Sequence, residues 1–176
     1  MRIVRLTDGL RVKLGSEADT IRLGGAIANV VSPSVVIGLV GPLGAGKTRL
    51  SRAIAEGLGV DPGAISSPTF VLIHEYEGRL PVFHFDSYRL ESGWAFEDLG
   101  VEDYWQAGGV CLVEWADRVR TFLPLDAWWI TIEPVGETSR LVVITFPPGH
   151  EAFADAVARE LATAEPAGPG VLAHEA

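Results

Sequence analysis

One stretch restricts what this chain can fold into more than any other. Val35-Val36-Ile37-Gly38-Leu39-Val40 is an apolar run of strand length that passes directly into Gly41-Pro42-Leu43-Gly44-Ala45-Gly46-Lys47-Thr48. The run reads as a buried strand, the glycines as a tight loop, and the residues from Lys47 onward as the start of a helix. The spacing Gly-x-x-x-x-Gly-Lys-[Ser/Thr] is the phosphate-binding P-loop pattern, and each residue type in it has a mechanical reason. Glycines let backbone N–H groups converge on phosphate oxygens, the lysine brings a compact charge, and the threonine hydroxyl suits Mg²⁺. A helix N-terminus adds partial positive charge at the same place.

The segment after the loop fits a helix. Leu50, Ala53, Ile54, Gly57 and Leu58 share one face, and Gly59 stands where a C-terminal cap is expected. Before the loop, Asp8-Gly9 predicts an N-terminal hairpin with Ile3, Leu10, Val12 and Leu14 alternating. Ser16-x-x-Asp19 opens a helix running to about residue 29, with Ile21, Gly25 and Ala28 as inward candidates.

Downstream, Phe70-Val71-Leu72-Ile73-His74-Glu75-Tyr76 and Arg79-Leu80-Pro81-Val82-Phe83-His84-Phe85-Asp86 flank Glu77-Gly78 and predict an antiparallel hairpin. With a two-residue turn, Thr69 sits opposite Asp86, at an open end beside the P-loop. Pro81 removes a ladder donor and weakens that register. Two short helices follow, at 92–99 and 102–106, and then Val110-Cys111-Leu112-Val113, a buried strand of the parallel kind ending on Glu114-Trp115. Ligands of open α/β sheets bind at the carboxyl ends of strands, so Glu114 and the P-loop belong to one edge. A second hairpin pairs 128–133 with 141–146, and a last helix covers about 151–162. Residues 1–164 are expected to form a single domain, with 165–176 a mobile tail.

Asp86 and Glu114 are thus the candidate acidic partners of the loop, one to hold Mg²⁺ and one to orient water, in an order the residues leave open. His84 shares a strand face with Asp86 and reads as structural, since four scattered histidines and one cysteine give no zinc spacing. Trp115 suits either a nucleotide or the core, and the core is the simpler reading. Asn29 is the only asparagine, so the Asn-Lys-x-Asp guanine signature is impossible and ATP is favoured. Fourteen basic against 23 acidic residues give a net charge of −9, a surface unsuited to gripping nucleic acid directly. The N-terminus has no continuous apolar core of signal-peptide length and no apolar run is long enough to span a bilayer, so a cytoplasmic protein is expected.

Four separated motifs agree with one family. GPLGAGKT at 41–48, Ser67-Pro68-Thr69-Phe70, His84-Phe85-Asp86-Ser87-Tyr88-Arg89-Leu90 and Leu112-Val113-Glu114-Trp115 resemble, in order and spacing, the TsaE (YjeE) family of bacterial ATPases required for threonylcarbamoyladenosine in tRNA. The resemblance implies an α/β, three-layer P-loop NTPase fold with a compact mixed parallel and antiparallel sheet. It also implies weak ATP hydrolysis as an accessory subunit beside TsaD and TsaB, with tRNA met only through that complex. Gly41, Leu43, Gly44, Ala45, Gly46, Lys47, Thr48 and Arg49 would then hold the nucleotide. Thr48, Glu114 and Asp86 would serve Mg²⁺, and Thr69 would act as a switch threonine. Pro42 stands where the family usually carries an acidic residue, and Arg49 where it usually has threonine. The alternative from another enzyme class is a small-molecule P-loop kinase; it needs a mobile arginine lid, and no arginine cluster is found for one, the nearest approach being the pair Arg118 and Arg120 just after the strand at 110–113.

Overall fold

An N-terminal hairpin forms, but its turn falls on Thr7-Asp8, one residue earlier than the expected Asp8-Gly9: Gly9 already belongs to the second strand, and the Leu6 amide donates to its carbonyl at 2.9 Å. Strands β1 (Arg2–Arg5) and β2 (Gly9–Leu14) pair antiparallel, with Arg5 opposite Leu10. The structure is a computed structural model that describes residues 1–65, 72–90 and 92–163. Thr69, the rest of the motif at 67–70 and the tail at 165–176 lie outside the described residues.

The remaining elements follow in chain order: α1 (Glu17–Val30), β3 (Val35–Val40), α2 (Lys47–Gly57), β4 (Ile73–Tyr76), β5 (Val82–Asp86), α3 (Gly93–Glu97) and α4 (Val101–Gln106). Then come β6 (Val110–Glu114), a 3₁₀ helix (Ala116–Phe122), β7 (Trp128–Pro134), β8 (Arg140–Thr145) and α5 (Glu151–Thr163). The strands make one eight-stranded sheet in the order β1-β2-β8-β7-β3-β6-β5-β4. Its centre, β7-β3-β6-β5, is parallel and both flanks are antiparallel, which is the mixed α/β sheet that the family resemblance implies.

Alternation along the strands sorts the core into two layers. Val35, Ile37 and Leu39 of β3 face one side with Val110 and Leu112 of β6, where α1, α2 and α5 pack. Val36 of β3 faces the other side with Phe83, Phe85, Cys111 and Val113, covered by α3, α4 and the 3₁₀ helix. Cys111 is a core residue, its thiol pushed up to about 12 by burial.

Helix α1 is capped by Ser16, whose hydroxyl accepts from the Asp19 amide at 3.3 Å. Ala28 is buried, but Ile21 is 42% exposed, so the inward face is displaced from the expected one. Packing against α2 decides the phase: Gly24 sits at the crossing, where only a small residue fits, and this turns Leu23 and Ile27 inward beside it. A Cβ on Gly24 would stand 2.4 Å from Ala53 Cβ and 2.8 Å from the Ala53 carbonyl carbon. Gly24→Ala is therefore expected to lower unfolding free energy by about 1–3 kcal/mol. Urea denaturation checks it, and an unchanged midpoint would show that the two helices are not held this close.

The hairpin of β4 and β5 corrects the expected register. Ile73 pairs with Phe85 and His74 with His84, and the Asp86 amide donates to Leu72 at 3.2 Å. Asp86 therefore lies level with Leu72 rather than Thr69. The connection is a wider loop at 77–81, held by the neighbouring structure and not by a two-residue turn. The Arg79 amide donates to Leu58 at the end of α2, at 2.6 Å, and Pro81 gives its carbonyl to Val110 at 2.8 Å.

Candidate functional site

Three parallel strands deliver the site to one edge. β3 ends at the P-loop, β6 at Glu114 and β5 at Asp86, with Leu39 level with Glu114 and Glu114 level with Asp86. Strand parity does the rest: Val82, His84 and Asp86 alternate onto the face that carries α2, as do Val110, Leu112 and Glu114. The P-loop helix and the two carboxylates thus meet on one side of the sheet.

The loop itself depends on two glycines. Gly46, at φ +109°, is the N-cap of α2, and no side chain caps that helix, so its first amides remain available to a ligand. Gly41, at φ +153°, runs against β7, where a Cβ would come within 2.4 Å of the Ile132 carbonyl oxygen. Leu43 at the tip is 80% exposed, whereas the Ala45 side chain is buried and its amide donates to Pro42 at 3.1 Å.

Lys47 is 4% exposed. Its ammonium donates to the carbonyls of Gly41 at 2.7 Å and Pro42 at 3.0 Å, and lies 3.5 Å from the centre of the Trp115 ring. Burial pushes its pKa down, against the opposing pull of Glu114, Asp117 and Asp86. Thr48 donates through Oγ1 to Glu114 Oε2 at 2.7 Å, a bond spanning 66 positions of sequence. Glu114 is 2% exposed, and its other oxygen, Oε1, meets His84 Nε2 at 2.7 Å. Asp86 is half-buried and its Oδ1 accepts from the Tyr88 amide at 2.9 Å.

Two cavities flank Gly46. One, of about 320 Å³, is bordered by Lys47, Thr48, Asp86, Glu114, Tyr88 and Trp115. The other, of about 370 Å³, lies on the far side, with apolar walls from Leu14, Leu50, Ile132 and Val142 and hydroxyls from Thr20 and Thr138. Arg49 turns toward this second cavity, where its Nε bonds Glu17 Oε1 at 2.5 Å.

Thus the loop residues, Asp86 and Glu114 converge, and Thr69 lies outside the described residues. Three residues were missed. His84 had the right strand parity but no spacing that marked it. Trp115 is half-buried over Lys47 and not in the core, because it takes a left-handed backbone at φ 58° as the chain leaves β6. Arg140 holds the loop from β8, donating to Ala45 O at 2.8 Å and Gly44 O at 3.4 Å. Nothing local in the sequence marks that contact.

Comparison with known proteins agrees with this arrangement. The family model described as Threonylcarbamoyl adenosine biosynthesis protein TsaE matches residues 14–142. The tRNA threonylcarbamoyladenosine biosynthesis protein TsaE of Bacillus subtilis is 43% identical over 67% of this chain and 73% of its own length. Its namesake from Treponema pallidum is 36% identical over 73% of this chain and 95% of its own. The crystal structure of Bacillus subtilis YdiB superposes with a TM-score of 0.71 at 30% identity, covering 90% of this chain and 97% of that one. With the P-loop, the strand-end carboxylates and the mixed sheet in place, the chain belongs to the TsaE family of threonylcarbamoyl adenosine biosynthesis proteins.

Proposed function

We propose that the chain binds Mg-ATP across Gly46 and hydrolyses it slowly, as an accessory ATPase in the formation of threonylcarbamoyladenosine in tRNA. The observation that carries this reading is the Thr48–Glu114 bond, which joins the P-loop to a carboxylate at the end of a neighbouring strand. An isolated glycine turn needs no such partner, and a phosphate site with a cation does. The apolar cavity beside Leu14 and Leu50 takes the base and ribose, and the cavity beside Lys47 takes the phosphates. Gly46 borders both, so a single nucleotide spans them.

The donors fit Mg²⁺. Thr48, Asp86 and Glu114 offer only oxygen to the phosphate cavity, the ligand type of a hard cation. Among the described residues no three His, Cys, Asp or Glu side chains gather into a metal cage, so phosphate and water would complete the shell. When bound, Mg²⁺ neutralises charge on the phosphate oxygens. This chain's own residues do the rest: Lys47 and the α2 amides hold phosphate, Glu114 fixes Thr48, and Asp86 orients the attacking water. Thr69 completes the set as the switch threonine that the family resemblance implies.

The kinase alternative loses its lid. Arg118 donates to the carbonyls of Tyr88 and Leu90, and Arg120 stacks over Trp129 at 4.3 Å, so both are already engaged. In the accessory reading, TsaD and TsaB are the partners and hold the tRNA, which suits a chain of net charge −9.

Reconstitution tests it. With TsaD, TsaB, tRNA, ATP and an activated threonylcarbamoyl donor present, adding this chain is expected to raise the yield of modified tRNA over repeated turnovers. Equal yield without it would sink the proposal, and ADP release that depends on a small-molecule acceptor would restore the kinase.

A further inference from the structure

Glu114 is a carboxylate in an apolar layer, and a buried charge of that kind persists only if both oxygens are engaged. Thr48 takes Oε2 and His84 takes Oε1, each at 2.7 Å, with the His84 and Glu114 side chains 4% and 2% exposed. An ionised carboxylate only accepts, so His84 Nε2 carries the hydrogen and donates it. His84 lies level with Leu112, two positions before Glu114, on the adjacent parallel strand. That diagonal is within reach of a long side chain.

We infer that His84 is a positioning residue for the cation half of the nucleotide site. It pins the Glu114 carboxylate so that Oε2 stays on the Thr48 hydroxyl, and the Thr48 proton is thereby held away from the phosphate cavity. The oxygen lone pairs of Thr48 are left to face a divalent cation. Lys47 and the loop amides stand outside this line of three residues. Removal of His84 therefore weakens the part of nucleotide affinity that depends on Mg²⁺ and spares the part that does not. A histidine serving only to pack β5 against β6 would lower stability without separating the two. The inference rests on the Mg-nucleotide reading above.

The test is calorimetric titration of the full chain with ADP, once with excess Mg²⁺ and once with EDTA at matched ionic strength. His84→Leu, His84→Gln and His84→Asn are compared with wild type, and thermal melts check folding. In His84→Leu the gain in affinity on adding Mg²⁺ is expected to shrink by about tenfold, the usual size of such indirect effects at metal sites. Affinity in EDTA is expected to stay at the wild-type level. Glutamine, whose amide nitrogen reaches about where Nε2 stands, restores the gain; the shorter asparagine does not. A full gain in His84→Leu overturns the inference and leaves ATP binding intact. Should the leucine variant not fold, equal gains in the glutamine and asparagine variants overturn it instead. If the wild type binds ADP under neither condition, the nucleotide reading fails and takes this inference with it.

Discussion

Lys47→Ala is expected to weaken ATP binding by about 100-fold, roughly the 3 kcal/mol of a charge-assisted hydrogen bond in a partly enclosed site. Calorimetry with Mg-ATP reads the loss directly. Lys47 is 4% exposed as a residue, and its ammonium is held by the carbonyls of Gly41 and Pro42 and by the Trp115 ring. A phosphate thus gains a cation that is already partly desolvated before binding. Three carboxylates, Glu114, Asp117 and Asp86, counter the effect of burial on its charge. Folding should lose no more than about 1–2 kcal/mol, because the exposed Pro42 carbonyl regains water and only the half-buried Gly41 carbonyl is left short of its donor. The same change should alter Trp115 fluorescence, since the cation leaves the ring. An affinity within about threefold of wild type would mean that Lys47 does not touch phosphate.

Glu114 separates charge from shape. Glu114→Ala removes the acceptor of the buried His84 donor and of the Thr48 hydroxyl at once, and is expected to destabilise the fold by about 1–3 kcal/mol, the cost of leaving a buried donor unsatisfied. Glu114→Gln keeps the volume and can still accept from His84 through its carbonyl while its amide faces Thr48. Its stability should stay within about 1 kcal/mol of wild type, with Mg²⁺-dependent nucleotide affinity falling about tenfold or more. Denaturant midpoints read the first quantity and titrations with and without Mg²⁺ the second. If glutamine binds Mg-ATP as well as glutamate does, the carboxylate charge has no part in the site.

Much of the fold was legible because local rules agreed with one another. The apolar runs at 35–40 and 110–113 were too continuous to face water, and both became central parallel strands. Ser16 and Gly59 marked helix ends through cap chemistry that acts within a few residues. Ile21 and the β4–β5 register were misread for a common reason. Each depended on a partner distant in sequence: Gly24 against Ala53 in one case, the 77–81 loop against Leu58 in the other. Periodicity reports that a face is buried, and cannot report what it is buried against.

The candidate site divides in the same way. From residue order alone came the phosphate loop, its lysine and threonine, and two acidic residues at strand ends, because those depend on spacing along one chain segment or on the end of one apolar run. Tertiary structure decided which atoms meet. Parallel pairing of β6 between β3 and β5 set Glu114 against Thr48 and His84. The left-handed turn after β6 laid Trp115 over Lys47, and β8 brought Arg140 to the back of the loop. These contacts bridge segments that only a finished sheet brings together. A histidine of ordinary appearance acquires its meaning when strand register places it within 2.7 Å of a buried carboxylate.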